Sequence, residues 1–191
     1  MWYKKLSLSS KLTLIRFVGA LCVLPFFIVY LLPFNNIFLN GFVTTVFLLF
    51  GATDFFDGYF ARKYQQVTKF GATLDHFADK FLLYTTLIAL VVVHKLYFLW
   101  AIIWIGREFF VMGLRILALE HNFAITVSSF GKSKTVVQIF CLAFIIFNPY
   151  QSFGRFAPWW NGLELFLLII ATFLSLWSGY KYFIGFMQKN S

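Results

Sequence analysis

The sequence predicts an all-α integral membrane protein of six transmembrane helices, and three observations carry that prediction. Of 191 residues, 61% are apolar, 28 are Phe and only 12% are charged, whereas a soluble domain has about 45–50% apolar and about 25% charged residues. Long stretches carry no charge at all, the clearest running from Phe17 to Thr53. These runs are continuous rather than alternating, which argues against a β-barrel. The same composition excludes a disordered or Pro-rich chain.

Each span is close to the ~20 residues needed to cross a bilayer. The first covers residues 14–32 and ends at the turn-forming Pro33-Phe34-Asn35-Asn36. The second covers 37–60. The third covers 71–94, where His94-Lys95 breaks the apolar run. The fourth, 96–119, carries Arg107, Glu108 and Arg115 inside it. The fifth (132–149) and sixth (160–185) are separated by Pro149-Tyr150-Gln151-Ser152. Met1–Lys11 mixes Trp2, Tyr3, Leu6 and Leu8 with lysines, which suits a short interfacial helix or a frayed tail. No small-residue cleavage site follows it, so it reads as retained. No repeat or long linker divides residues 1–191, and one domain is expected.

The charge distribution narrows the partners. There are 16 Lys+Arg against seven acids, a net charge of +9. The bases form no dense run and flank apolar segments, so they point to anionic lipid and phosphate and not to nucleic acid. With six spans, one side holds Lys4, Lys5, Lys11, Arg62, Lys63, Lys69, Lys132, Lys134 and Lys189, and the other only Lys95 and Arg155. The positive-inside rule then makes both termini cytoplasmic, in what reads as a bacterial cytoplasmic membrane. Cys22 and Cys141 fall in apolar segments, where a thiol usually packs as a small hydrophobe. No metal or disulfide spacing of cysteines is present.

Four of the seven acids lie within 26 consecutive residues. On a helix, Asp54, Asp57, Gly58 and Ala61 fall at i, i+3, i+4, i+7, and Gly71, Asp75 and Asp79 at i, i+4, i+8, so each set forms one stripe. A short connection around Lys63–Phe70 lets the two helices pack antiparallel with their carboxylates converging. Gly58, Ala61 and Gly71 remove bulk beside them, for close helix approach or for a flat ligand. Four convergent carboxylates must be neutralised by raised pKa values or by cations. All-oxygen donors select Mg²⁺, Mn²⁺ or Ca²⁺, and two divalent ions would balance four aspartates. Such a pair forms the clamp used for displacement at phosphorus. The bland alternative, an acidic interfacial loop with ion pairs such as Asp57–Arg62, predicts neither the stripes nor the small residues.

The motif D-x-x-D-G-x-x-A-R-x8-G-x-x-x-D-x-x-x-D, matched from Asp54 to Asp79, resembles that of the CDP-alcohol phosphotransferase family. The resemblance implies a six-helix membrane enzyme, a homodimer, that displaces CMP from a CDP-linked substrate by an alcohol. It implies that Asp54, Asp57 and Asp75 ligate two Mg²⁺ or Mn²⁺ ions. Asp79 would share in metal coordination and act as the catalytic base. It further implies that Gly58 and Ala61, beside Gly71, make room for the CDP-lipid, while Arg62 approaches its phosphates or pins the loop.

The remaining intramembrane charges report on the acceptor. Arg107 and Arg115 lie at i, i+8, roughly on one face and about 12 Å apart along the axis. Gly131-Lys132-Ser133-Lys134-Thr135 opens the fifth helix. Two arginines and two lysines suit a dianionic phosphate, unless they merely snorkel at helix ends. Glu108 can pair Arg107, orient it or accept from a hydroxyl. The blocks I-x-R-E, G-L-R and G-K-x-K-T, with Leu12-Thr13-Leu14-Ile15-Arg16, resemble the family members that use glycerol 3-phosphate; the usual N-I-P-N-like opening is replaced by Ser7-Leu8-Ser9-Ser10. The expected substrates are therefore CDP-diacylglycerol and glycerol 3-phosphate. Within the same chemistry, phosphatidylglycerol or an inositol phosphate would be alternative acceptors. A divalent-cation transporter would instead spread its acids over several helices at the bilayer midplane.

Overall fold

A computed structural model describes residues 17–63, 69–121, 130–149 and 157–190, and the described residues are all helical and turn, without strands. The expected interfacial segment Met1–Lys11 lies outside them. Six α-helices form. Helix α1 (Leu24–Leu31) is entered through a π-helical stretch, Gly19–Val23, and leaves through a 3₁₀ turn, Leu32–Phe34. Then come α2 (Ile37–Lys63), α3 (Lys69–Val92), α4 (Phe98–Glu120), α5 (Phe130–Phe147) and α6 (Ala157–Asn190).

The breaks fall where turn chemistry dictates. Pro33 cannot continue a helical hydrogen-bond ladder. Asn35 then turns the chain with φ of 50°, a left-handed conformation that Asn tolerates, and the Asn36 side chain accepts from the N–H of Phe38 at the start of α2. His94, also left-handed at φ 56°, turns α3 towards α4. Connections this short make neighbours antiparallel. Helix α6 packs on both α4 and α5, α2 on α5, and α1 on α3, while α2 and α3 also touch.

The π-helical stretch is closely packed against α2 and α3. Gly19 lies against Phe50 so closely that a Cβ there would sit 2.5 Å from the ring. The Ala20 carbonyl is met by the Thr85 hydroxyl of α3 at 2.9 Å. The core runs through Leu24, Ile28, Phe47, Leu87, Trp104, Leu142 and Ile146, all at most 1% exposed. Cys141 is buried with them, whereas Cys22 faces outward. The outer surface is itself apolar: Phe38, Trp159 and Phe140 are 83%, 81% and 65% exposed. Among the described residues one helix, Trp159–Lys189, is by itself long and apolar enough to cross a membrane, and Gly19–Phe34, Ile37–Ala52, Lys80–Val92 and Lys134–Phe147 are shorter apolar helices.

Helix direction sorts polar residues into two ends. One end gathers the C-terminal halves of α2, α4 and α6 with the N-terminal halves of α3 and α5. The other holds the turns at residues 35–36 and 93–97 and the start of α6.

Candidate active site

The acidic stripes occupy the first of these ends. Asp54 and Asp57 lie in the second half of α2, and Asp75 and Asp79 in the first half of α3, on two contacting helices joined by five residues. Their side chains, with those of Gly58, Ala61, Arg62, Gly71 and Lys132, lie outside the described residues. Four carboxylate-bearing positions on one helix pair are the chain's candidates to hold divalent metal, since hard oxygen donors suit Mg²⁺ and Mn²⁺.

One residue past Asp79, Lys80 turns into the bundle and pairs with Glu108 of α4. The same carboxylate receives Lys134 from the first turns of α5 and Arg107 Nη1 at 2.6 Å. The side chains of Glu108, Arg107 and Lys134 are 4–5% exposed and that of Lys80 is 24% exposed. One carboxylate thus gathers three cations from three helices. Charges so shielded from water are tolerated when paired, and Glu108 is an anion that these three cations share.

Helix α6 fixes the arginine. Arg107 donates through Nε to the Ser175 carbonyl at 2.9 Å and through Nη2 to Ser178 Oγ at 2.8 Å. Gly179 leaves room beside its stem, where a Cβ would lie 3.4 Å away. One turn earlier, Trp104 Nε1 donates to Thr172 Oγ1 at 2.7 Å. Two turns later, Arg115 donates to the Tyr182 hydroxyl at 2.8 Å, its guanidinium 5.2 Å from that ring's centroid. Thr172, Ser175, Ser178 and Tyr182 form a polar stripe on α6 at helical spacing, and it faces α4 along its length.

Of the four cations expected to hold the acceptor phosphate, the structure brings Arg107 and Lys134 together through Glu108. It sets Arg115 apart on Tyr182. Lys80 is an addition that sequence reasoning missed; its signal was a lysine placed directly after the last acidic residue, inside an apolar helix. Gln138, fully buried one turn beyond Lys134, was missed as well.

At the opposite end, Asn40 donates to the carbonyls of Phe147 and Asn148 at 3.3 and 3.1 Å, tying the start of α2 to the end of α5. Asn148 in turn donates to Glu164 Oε2 at 3.2 Å. Burial in the turn after α3 pushes the Lys95 amine down from its ordinary range, and the nearby Glu164 carboxylate opposes this.

The chain is a member of the CDP-alcohol phosphatidyltransferase family, which it matches over residues 6–178. Within that family it is 36% identical over 186 residues to the CDP-diacylglycerol–glycerol-3-phosphate 3-phosphatidyltransferase of Haemophilus influenzae, covering 93% of this chain and 92% of the relative. It is 34% identical over 178 residues to the enzyme of that name from Rickettsia felis, covering 93% of each. The Rickettsia bellii enzyme of that name is 37% identical over 138 residues, covering 72% of this chain and 75% of the relative.

Proposed function

We propose that this protein transfers the phosphatidyl group of CDP-diacylglycerol to glycerol 3-phosphate, releasing CMP, as an enzyme of bacterial phospholipid synthesis. The observation that carries the acceptor assignment is the Lys80–Arg107–Lys134 cluster on Glu108, next in sequence and space to the acidic helix pair. Two lysines and an arginine drawn together from three helices suit a phosphate dianion. A choline, ethanolamine or serine acceptor brings no such charge. Arg115 and Lys132 supply further positive charge to the same end.

The residues divide the chemistry between them. Asp54, Asp57, Asp75 and Asp79 would hold two Mg²⁺ or Mn²⁺ ions, which when bound neutralise charge on the pyrophosphate. Gly58, Ala61 and Gly71 leave space for the CDP moiety, with Arg62 close to its phosphates. Asp79 takes the proton of the acceptor's primary hydroxyl. The hydroxyl oxygen bonds to the phosphorus that carries diacylglycerol. The P–O bond to CMP breaks, and CMP leaves with the electron pair. Lys80, adjacent to Asp79, holds the acceptor phosphate so that its free hydroxyl faces that carboxylate.

In this reading the six helices span the membrane, with both termini and the active site cytoplasmic and residues 1–11 in the interface. The apolar outer surface and the Trp159–Lys189 helix support it, as does the concentration of bases at the active-site end. The protein would act as a homodimer. The deciding assay measures CMP release by purified protein given CDP-diacylglycerol and Mg²⁺, with glycerol 3-phosphate, phosphatidylglycerol or an inositol phosphate as acceptor. Turnover with glycerol 3-phosphate alone is expected. Turnover only with another acceptor would refute the acceptor and leave the reaction class intact.

A further inference from the structure

Between α2, α3 and α5 lies a small pocket whose polar lining is Lys80, Thr135 and Gln138, set among apolar side chains such as Phe47 and Leu83. It sits beside the acidic stripes, since Lys80 follows Asp79. Gln138 is 0% exposed, and neither its Nε2 nor its Oε1 has a hydrogen-bond partner among the described residues. A buried amide in that state is costly unless a ligand or water completes it. Its chemistry narrows the ligand. An amide offers an accepting oxygen and a donating nitrogen side by side. A fully ionised phosphate can only accept, so it would leave Oε1 unmatched. A hydroxyl both donates and accepts, and Thr135 adds a second group of the same kind. Gln138 also lies one helical turn, roughly 6 Å, past Lys134, which places it beyond the phosphate cluster along α5.

We propose that Gln138, assisted by Thr135, recognises the non-reacting hydroxyl of the acceptor alcohol, making it a specificity-determining residue for an alcohol phosphate with a second hydroxyl. This rests on the acceptor reading above. The phosphate is held by Lys80, Lys134 and Arg107, the primary hydroxyl faces Asp79, and the secondary hydroxyl fills the amide. A site built to hydrogen-bond a substrate hydroxyl rejects the analogue lacking it far more strongly than an apolar pocket does.

The test compares glycerol 3-phosphate with 1,3-propanediol monophosphate, which keeps the phosphate and a primary hydroxyl and lacks the secondary one. CMP release from CDP-diacylglycerol is followed for the wild type, Gln138→Leu, Gln138→Asn and Thr135→Val. The wild type should favour glycerol 3-phosphate by about 100-fold or more in kcat/KM. Gln138→Leu should bring that preference within about 3-fold by losing on glycerol 3-phosphate alone, with the KM for CDP-diacylglycerol unchanged. Gln138→Asn, which keeps the amide but shortens its reach, should fall between, and covers the case in which the leucine variant does not fold. A preference that survives in the folded variants, or equal losses on both acceptors, overturns the proposal. A wild type that turns over neither acceptor overturns the reaction reading, and this proposal with it.

Discussion

The two ends of the bundle both bury charge, and they do so differently. At the turn end, Glu164 has Asn148 as a donor and Lys95 as a neighbouring cation, while Asn40 satisfies two carbonyls at the end of α5. There one acid meets one base and helix ends are tied together. At the other end one acid meets three bases, and a glutamine one turn away has no partner among the described residues. The first cluster ties helix ends together, while the second gathers basic side chains from three helices beside the acidic motif.

Substitutions can break this contrast, beginning with the largest expected effect. Asp79→Asn should reduce turnover by about 10²–10⁴-fold, the usual contribution of a positioned base, while CDP-lipid binding measured by calorimetry persists; near-normal turnover would remove the base from Asp79. Glu108→Gln leaves three cations without their shared anion. It should lower stability by about 3–5 kcal/mol, read as a fall in Tm in detergent, and added inorganic phosphate should restore part of it. Arg115→Ala should raise the KM for glycerol 3-phosphate about 10-fold, as loss of one charged hydrogen bond does, and that for CDP-diacylglycerol much less. A larger change for the lipid would move this arginine out of the acceptor pocket.

Substitutions outside the Glu108 cluster should respond in stability and not in acceptor kinetics. Gly19→Ala would press on the Phe50 ring and should cost about 1–3 kcal/mol without altering the KM for glycerol 3-phosphate. Glu164→Gln keeps an acceptor for Asn148 and should change stability by about 1 kcal/mol or less. A stability loss in this variant as large as that of Glu108→Gln would erase the distinction between the ends.

Much of this organisation was legible in the sequence. The helices follow from uncharged runs, and their breaks from Pro33, Asn35 and His94. The expected spans 71–94, 96–119 and 132–149 agree with Lys69–Val92, Phe98–Glu120 and Phe130–Phe147 to within two residues at every end. Helix α6 extends beyond its expected 160–185 to Ala157–Asn190, because the polar Gln188-Lys189-Asn190 ends its hydropathy without ending its backbone. The acidic motif stood out because its stripes lie on consecutive segments. Lys80, Gln138 and the Thr172–Tyr182 stripe did not. A helical period tells which residues share a face, but not which other helix that face meets. The convergence of three cations on Glu108 depends on α3, α4 and α5 meeting at one depth. For the same reason Arg107 read as a phosphate ligand, while its bonds to Ser175 and Ser178 required knowing that α4 lies along α6.

The adjacency of Asp79 and Lys80 has a mechanical meaning. Consecutive residues on an α-helix are about 100° apart around its axis and 1.5 Å apart along it. The carboxylate assigned to proton removal and the ammonium assigned to the acceptor are therefore geared to one shaft. Any rotation or slide of α3 moves both, and neither can be realigned alone. The Thr85–Ala20 bond pins that shaft to the entry of α1, so the setting of the two groups is held by a contact about 8 Å further along α3.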